Sequence, residues 1–186
     1  LQGEVIIPAC TFVAIAHVLH WLGIKPVFCD LDPATHNIDP KKIEALITPR
    51  TSAIMGVHVW GRPCDIDALQ AIADRHGIQL LFDAAHAFAC SYRGAMVGGF
   101  GKAEVVSFHA TKVLNSCEGG AVLTNDDAVA KRIRLMKAFG FAGVDKVVEV
   151  GINGKMSELS AAMGIANLEA VDEFIEVNRR NHSAYQ

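Results

Sequence analysis

Short apolar runs alternate along this chain with segments whose apolar residues recur every three or four positions. The runs "EVIIP" (4–8), "KPVFCD" (25–30), "SAIMGVHV" (52–59), "IQLLFD" (78–83), "EVVSFH" (104–109) and "AVLTN" (121–125) have the length and β-branched content of strands. Between them lie helical patterns. "FVAIAHVLHWLG" (12–23) closes on Gly23, and "PKKIEALI" (40–47) puts Pro40 at a first helical position behind a capping Asp39. "DIDALQAIADRHG" (65–77) is amphipathic and ends in glycine, and "DDAVAKRIRLMKAF" (126–139) follows the last strand. The segment "MSELSAAMGIANLEAVDEFIEVNRR" (156–180) predicts one long helix, with Leu168, Val171 and Ile175 at helical spacing.

Strands separated by helices imply βαβ units, hence an α/β fold with a mostly parallel sheet and helices on both faces. The strands are apolar at nearly every position, as expected when both faces are covered. "EVVSFH" and "AVLTN" stand too close for a helical crossover, which predicts one antiparallel neighbour. No repeat, low-complexity tract or linker divides residues 1–186, so a single domain is expected. The chain enters a strand almost at once and stops inside a helical pattern, and we expect a partial chain.

Composition narrows the function classes. A net charge of −3 without a basic block argues against nucleic-acid binding. No apolar run reaches the roughly 18 residues of a membrane span, and the amino terminus has no signal-peptide pattern. Five scattered cysteines without a C-x-x-C pair argue against a disulfide frame or zinc site and fit a reducing cytoplasm. Four of them are expected to be small buried hydrophobes. His58, His86, His109 and Asp83 lack metal-ligand spacing, and no metal is expected. On "AIAHVLHW", one of His17 and His20 is expected to be satisfied within the fold and the other at the surface. "MVGGFGKAE" precedes a strand and opens no helix, so it is no dinucleotide fingerprint. Trp60 and Arg62 in "VWGRPCD" fall in a strand-to-helix loop, where a turn role outweighs a substrate role.

In open α/β sheets, ligands gather beyond the carboxyl ends of the strands. Asp83 ends one strand there; Ser107 and His109 end another, with Lys112 just beyond. Alone, the aspartate reads equally well as a turn or cap residue and the lysine as a surface group. Together they read differently. A partly desolvated lysine amine can attack a carbonyl. If that carbonyl belongs to pyridoxal phosphate, the ring nitrogen needs an anionic partner and the phosphate needs hydroxyl or backbone donors. Asp83, Ser107 and Lys112 supply those three functions.

The stretches "PACTFVAIAHVLHWLGIKPVFCDLDPATHNIDPKKIEALITPRTSAI", "FDAAHAF", "SFHATK", "EGGAVLTN" and "GINGKMSELSAAMG" resemble, in order and spacing, the DegT/DnrJ/EryC1/StrS family. These are pyridoxal-phosphate-dependent nucleotide-sugar aminotransferases of fold type I, and the likeness implies their cofactor-binding large domain without the amino-terminal segment and the small carboxy-terminal domain. It implies that Lys112 holds the cofactor as a Schiff base and later carries a proton, that Asp83 pairs with the ring nitrogen, and that Ser107 binds phosphate. Phe12 would stack on the ring and His86 would lie beside it. Asn153, in "GINGKMSE", would reach the phosphate of a neighbouring subunit, implying a homodimer with shared sites; Gly154 and Lys155 depart from the usual pattern there. The implied reaction moves an amino group, with L-glutamate as donor, to a keto group of a nucleotide-linked deoxysugar. Alternatives are a dehydratase of the same fold, which carries histidine where Lys112 stands, and a binding or regulatory protein without turnover.

Overall fold

A computed structural model describes residues 1–186. The chain forms two compact units: Leu1–Val106 with Val122–Asn125, and Ser107–Ala121 with Asp126–Gln186.

The first unit is built on strands β1 (Glu4–Pro8), β2 (Lys25–Cys29), β3 (Thr51–Val57), β4 (Gln79–Asp83) and β7 (Ala103–Ser107). With β8 (Gly120–Leu123) they make a six-stranded sheet in the order β2-β1-β3-β4-β7-β8. Four pairs, β1–β2, β1–β3, β3–β4 and β4–β7, are parallel. Helices α1 (Ala14–Trp21), α2 (Pro40–Ile43) and α3 (Ile66–His76) connect them.

Strand alternation sends the apolar runs to two cores. Val5, Ile7, Ala53 and Val57 pack with Ile15 and Leu19 of α1. Ile6, Ile54, Leu80 and Phe82 face the other way, onto Ile43 of α2 and Ile66, Leu69 and Ile72 of α3. That division is why these strands lack a polar face. The helix ends follow their sequence signals: Asp39 and Asp65 accept backbone N–H bonds as caps, and Gly77 adopts the left-handed conformation (φ 64°) behind α3.

Glu4 is buried at the start of β1 and gathers cations from both neighbouring strands. It accepts hydrogen bonds from Thr48 Oγ1 (2.7 Å), Arg50 Nη2 (2.7 Å) and Lys25 Nζ (3.2 Å). Those bonds, Thr48 foremost, hold its carboxyl at about 2.

The unit also contains a hairpin that the apolar pattern does not announce, β5 (Ser91–Tyr92) against β6 (Ala95–Met96). Its turn residues Arg93 (φ 48°) and Gly94 (φ 83°) are both left-handed, as a two-residue primed turn requires.

The second unit carries α4 (Asp127–Met136), α5 (Glu158–Glu169) and α6 (Val171–Tyr185). The single long helix expected over 156–180 is instead two. Ala170 leaves the helical region (φ −100°, ψ 2°) and its N–H bonds back to Asn167, which breaks the ladder. The α5 helix is pinned to the chain before β8, since Asn167 Nδ2 donates to the Asn115 carbonyl (2.9 Å).

The cysteines and histidines also depart from expectation. Only Cys29 and Cys64 are buried; Cys90 is partly so, and Cys10 and Cys117 are exposed. The last two lie in turns, outside the strands whose faces are covered. His17 and His20 both lie on the outer side of α1, exposed, because Ile15 and Leu19 take the inner face.

Candidate functional site

Asp83 closes β4 and is half-buried. Its backbone is held on both sides: its carbonyl accepts the His58 N–H (3.0 Å), and the next residue, Ala84, donates to the Val105 carbonyl (2.8 Å). Its side chain is also set. Oδ1 accepts the Ala85 N–H at 2.9 Å, which leaves Oδ2 for an outside donor. The chain then turns tightly, with Ala87 N–H bonded to Ala84 C=O (2.9 Å), and this turn presents an exposed His86.

The turn Val59–Gly61 packs against the His86 turn. A Cβ on Gly61 would lie 2.9 Å from the His86 carbonyl oxygen, and Gly61 has φ 82°, so only glycine suits both demands. Trp60 (φ 52°) is exposed beside it, with an edge contact to His36 (5.7 Å). Arg62 Nη1 donates to the Ala34 carbonyl (3.0 Å), which gives it a turn-holding role. Phe12 is in the segment between β1 and α1, with its ring 73% exposed and available for stacking.

In the second unit, Lys112 sits in a compact loop. Phe108 N–H bonds to Gly119 C=O (2.8 Å), Ser116 N–H to Phe108 C=O (2.8 Å) and Lys112 N–H to His109 C=O (2.9 Å). Gly119 is sterically required, since a Cβ there would lie 2.6 Å from Met156 and 2.7 Å from the Ser116 hydroxyl. Lys112 is half-buried in this loop, and its amine makes no ion pair or hydrogen bond. Ser107 Oγ accepts the His109 N–H (3.2 Å), which leaves its own hydroxyl proton to donate. His109 itself is engaged, with Nδ1 on Thr111 (3.0 Å) and Nε2 3.6 Å from Glu118.

Asn153 is exposed on an irregular segment bridged to Ala138. Gly154 N–H anchors that segment to the Lys137 carbonyl (2.9 Å), and the Lys155 ammonium lies over the Phe139 ring at 5.4 Å. Gly154 and Lys155 thus serve local structure.

The first unit therefore brings Asp83 and His86 into one turn and leaves Phe12 on a separate segment, and the second carries Ser107 and Lys112 in one loop and Asn153 on another. Taken unit by unit, the donors suit parts of pyridoxal phosphate. In the first, one Asp83 carboxylate oxygen is open. In the second, Lys112 is half-buried without an ion pair and Ser107 has a hydroxyl proton to give. Sequence reasoning missed a buried polar pair behind Asp83. His58 and Glu104 are both 0% exposed, with Nε2 3.5 Å from Oε1. The signal was there in "EVVSF", an acid heading an otherwise apolar run, but only strand register brings it opposite Phe82.

Comparison with known proteins assigns the family. The chain is 46% identical over 175 residues to the dTDP-4-amino-4,6-dideoxy-D-glucose transaminase of Shigella dysenteriae, covering 94% of this chain and 48% of that protein. It is 41% identical to the GDP-perosamine synthase of Caulobacter vibrioides, covering 95% of this chain and 48% of that one. The crystal structure of DesI, solved in the presence of its TDP-sugar product, superposes with a TM-score of 0.94 at 54% identity, over 100% of this chain and 47% of that one. The chain thus spans about half the length of the curated relatives it matches. Residues 2–186 match the model of the DegT/DnrJ/EryC1/StrS aminotransferase family, and the chain belongs to that family.

Proposed function

We propose that residues 1–186 are the cofactor-binding large domain of a pyridoxal-phosphate-dependent aminotransferase acting on a nucleotide-linked keto sugar, with an amino acid such as L-glutamate as donor. The observation that carries this reading is Lys112: a half-buried lysine without an ion pair, in a chain of an aminotransferase family. The compounds in the relatives' names, a dTDP-linked amino sugar and GDP-perosamine, are nucleotide-linked and support the substrate class.

Pyridoxal phosphate, when bound, supplies an aldehyde and an electron-withdrawing ring that stabilises negative charge at the amino-acid α-carbon. The protein's part is to hold that group and manage protons. The open Oδ2 of Asp83 would keep the ring nitrogen protonated, and Ser107 would donate its hydroxyl proton to the phosphate. Lys112 Nζ would hold the aldehyde carbon until the donor's amine displaces it. The freed amine would then take a proton from the donor's α-carbon and, in the second half-reaction, return one to the sugar carbon. Phe12 would stack on the ring and His86 would lie beside it.

Asn153 belongs to a shared site in a homodimer. Its neighbours support this: Ile152 is 71% and Leu159 85% exposed, apolar surface that a second subunit would cover. A cytoplasmic location is supported by five unpaired cysteines. No helix is long and apolar enough to cross a membrane. Lysine at position 112 argues against the dehydratase reading.

The test uses the full-length protein loaded with pyridoxal phosphate and mixed with L-glutamate. Without sugar, 2-oxoglutarate forms in a single round matched to bound cofactor; a nucleotide-linked keto sugar makes it catalytic, and Lys112→Ala abolishes both. Cofactor binding without any 2-oxoglutarate from any amino-acid donor would favour the binding-protein reading instead.

A further inference from the structure

Glu104 and His58 are buried without being satisfied. Neither oxygen of Glu104 has a hydrogen-bond partner, nor does His58 Nε2. The imidazole is oriented from its other side, because Nδ1 accepts the Cys64 N–H (3.1 Å). The neutral ring therefore carries its proton on Nε2, facing Glu104 Oε1 at 3.5 Å. Nothing polar competes for that carboxylate. Gly98 backs onto the pair and brings no polar side chain: a Cβ there would lie 3.9 Å from Oε2 and only 2.8 Å from Leu123 Cδ1. A pair of this kind adds little to stability, since well-packed apolar residues in its place are commonly neutral or better. A buried, unsatisfied acid therefore calls for another explanation.

Its surroundings supply one. Glu104 is in register with Phe82, and Val105 with Asp83. The His58 ring lies flat on Phe82, with centroids 4.7 Å apart and planes at 25°. The His58 N–H holds the Asp83 carbonyl, and Val105 holds Ala84. Apart from the Cys64 N–H bond to His58, these links end on the last two residues of β4 or the one that follows. We propose that His58 and Glu104 are positioning residues for Asp83: a buried pair that fixes the end of β4 so that Oδ2 meets the protonated ring nitrogen of the cofactor. This rests on the role given to Asp83 above. The Nε2 edge faces Oε1 at 3.5 Å without a formed hydrogen bond, and the imidazole behind it is stacked on Phe82, so a polar contact at Glu104 bears on the ring that braces Phe82.

Three variants of the full-length protein separate positioning from plain structural support. Glu104→Gln keeps the shape and an oxygen for Nε2–H. Glu104→Leu removes the contact but fills the space. His58→Asn keeps an acceptor for the Cys64 N–H and cannot reach Glu104. The readouts are the pyridoxal phosphate dissociation constant, by absorbance titration, and the melting midpoint of the cofactor-free protein. Glu104→Leu is expected to raise the dissociation constant about tenfold without lowering the midpoint, His58→Asn to raise it similarly, and Glu104→Gln to stay within about twofold of wild type. In an Asp83→Asn background, Glu104→Leu should add no further loss.

Affinity within about twofold of wild type in His58→Asn, or in a Glu104→Leu protein that folds, would overturn the proposal, as would a loss of undiminished size in the Asp83→Asn background. In those cases the cofactor assignment stands, because the wild type still binds. Failure of the wild type itself to bind pyridoxal phosphate would overturn both.

Discussion

Gly56 stands opposite Phe82 across the β3–β4 ladder, and replacing it with alanine tests how firmly the end of β4 is held. A methyl group there would lie 2.9 Å from both Cδ1 and Cε1 of the Phe82 ring and 3.1 Å from Cys64 Sγ. Real Cβ atoms do not approach that closely, so something must move. Phe82 cannot withdraw easily, since it is 1% exposed and stacked on His58, itself 0% exposed. Cys64 is equally buried, with its thiol on the Val57 carbonyl.

Overpacking of this kind costs about 1–3 kcal/mol. Against it stands the gain of about 0.4–1 kcal/mol from a less flexible unfolded chain, available because the backbone here needs no glycine conformation. The net is a loss of about 1–2 kcal/mol, and at about 2–4 °C per kcal/mol for a chain of this size the midpoint should fall by about 2–8 °C. Thermal unfolding by circular dichroism would measure it. Phe82→Leu opens space at the clash, so the double variant should be more stable than the two single losses predict, by about 1 kcal/mol. An unchanged or raised midpoint in Gly56→Ala, or strict additivity, would refute the claim that Phe82 is braced.

Other expectations follow from the same geometry. The Glu4 carboxyl is held at about 2 against an ordinary value of 4.5, so its contribution is complete above about pH 4.5 and is lost as the pH falls toward 2. Glu4→Gln should flatten that part of the stability–pH curve, and an unchanged acid slope would contradict the assignment. Gly61→Ala should lower the midpoint by at least about 1–2 kcal/mol equivalent from its left-handed backbone alone, and loosen the His86 turn enough to weaken cofactor binding. Alkylation of the native protein should label Cys10 and Cys117 quickly and spare Cys64, whose thiol burial pushes up to about 12. Mass spectrometry would show the order, and early labelling of Cys64 would be inconsistent with this core.

The strands of the first unit were legible because a sheet covered on both faces leaves nearly every position apolar, and Val5, Ile6 and Ile7 divide between two cores. Asp39, Asp65 and Gly77 marked helix ends through local chemistry that needs no tertiary context. The break at Ala170 was not legible: Leu168, Val171 and Ile175 keep helical spacing straight through it, and no glycine or proline marks it. The β5–β6 hairpin escaped because two-residue strands carry no periodicity; Arg93-Gly94 was its only trace.

At the candidate site, residue type and strand-end position are what single out Asp83, Ser107 and Lys112 as the proposed cofactor-holding residues. The roles of Phe12, His86 and Asn153 depended on resemblance, because an exposed phenylalanine, a turn histidine and a loop asparagine have no distinguishing chemistry of their own. His58 and Glu104 are 46 positions apart, and only the strand register, with Glu104 opposite Phe82, brings them together.

The central claim is that Lys112 is the amine that holds the cofactor. The most direct measurement is to incubate the full-length protein with pyridoxal phosphate, reduce with borohydride, digest, and map the pyridoxyl-modified lysine by mass spectrometry. The account predicts a stoichiometric label on the peptide carrying Lys112, and none in Lys112→Ala. A label spread over surface lysines, or fixed on a different one, would contradict it.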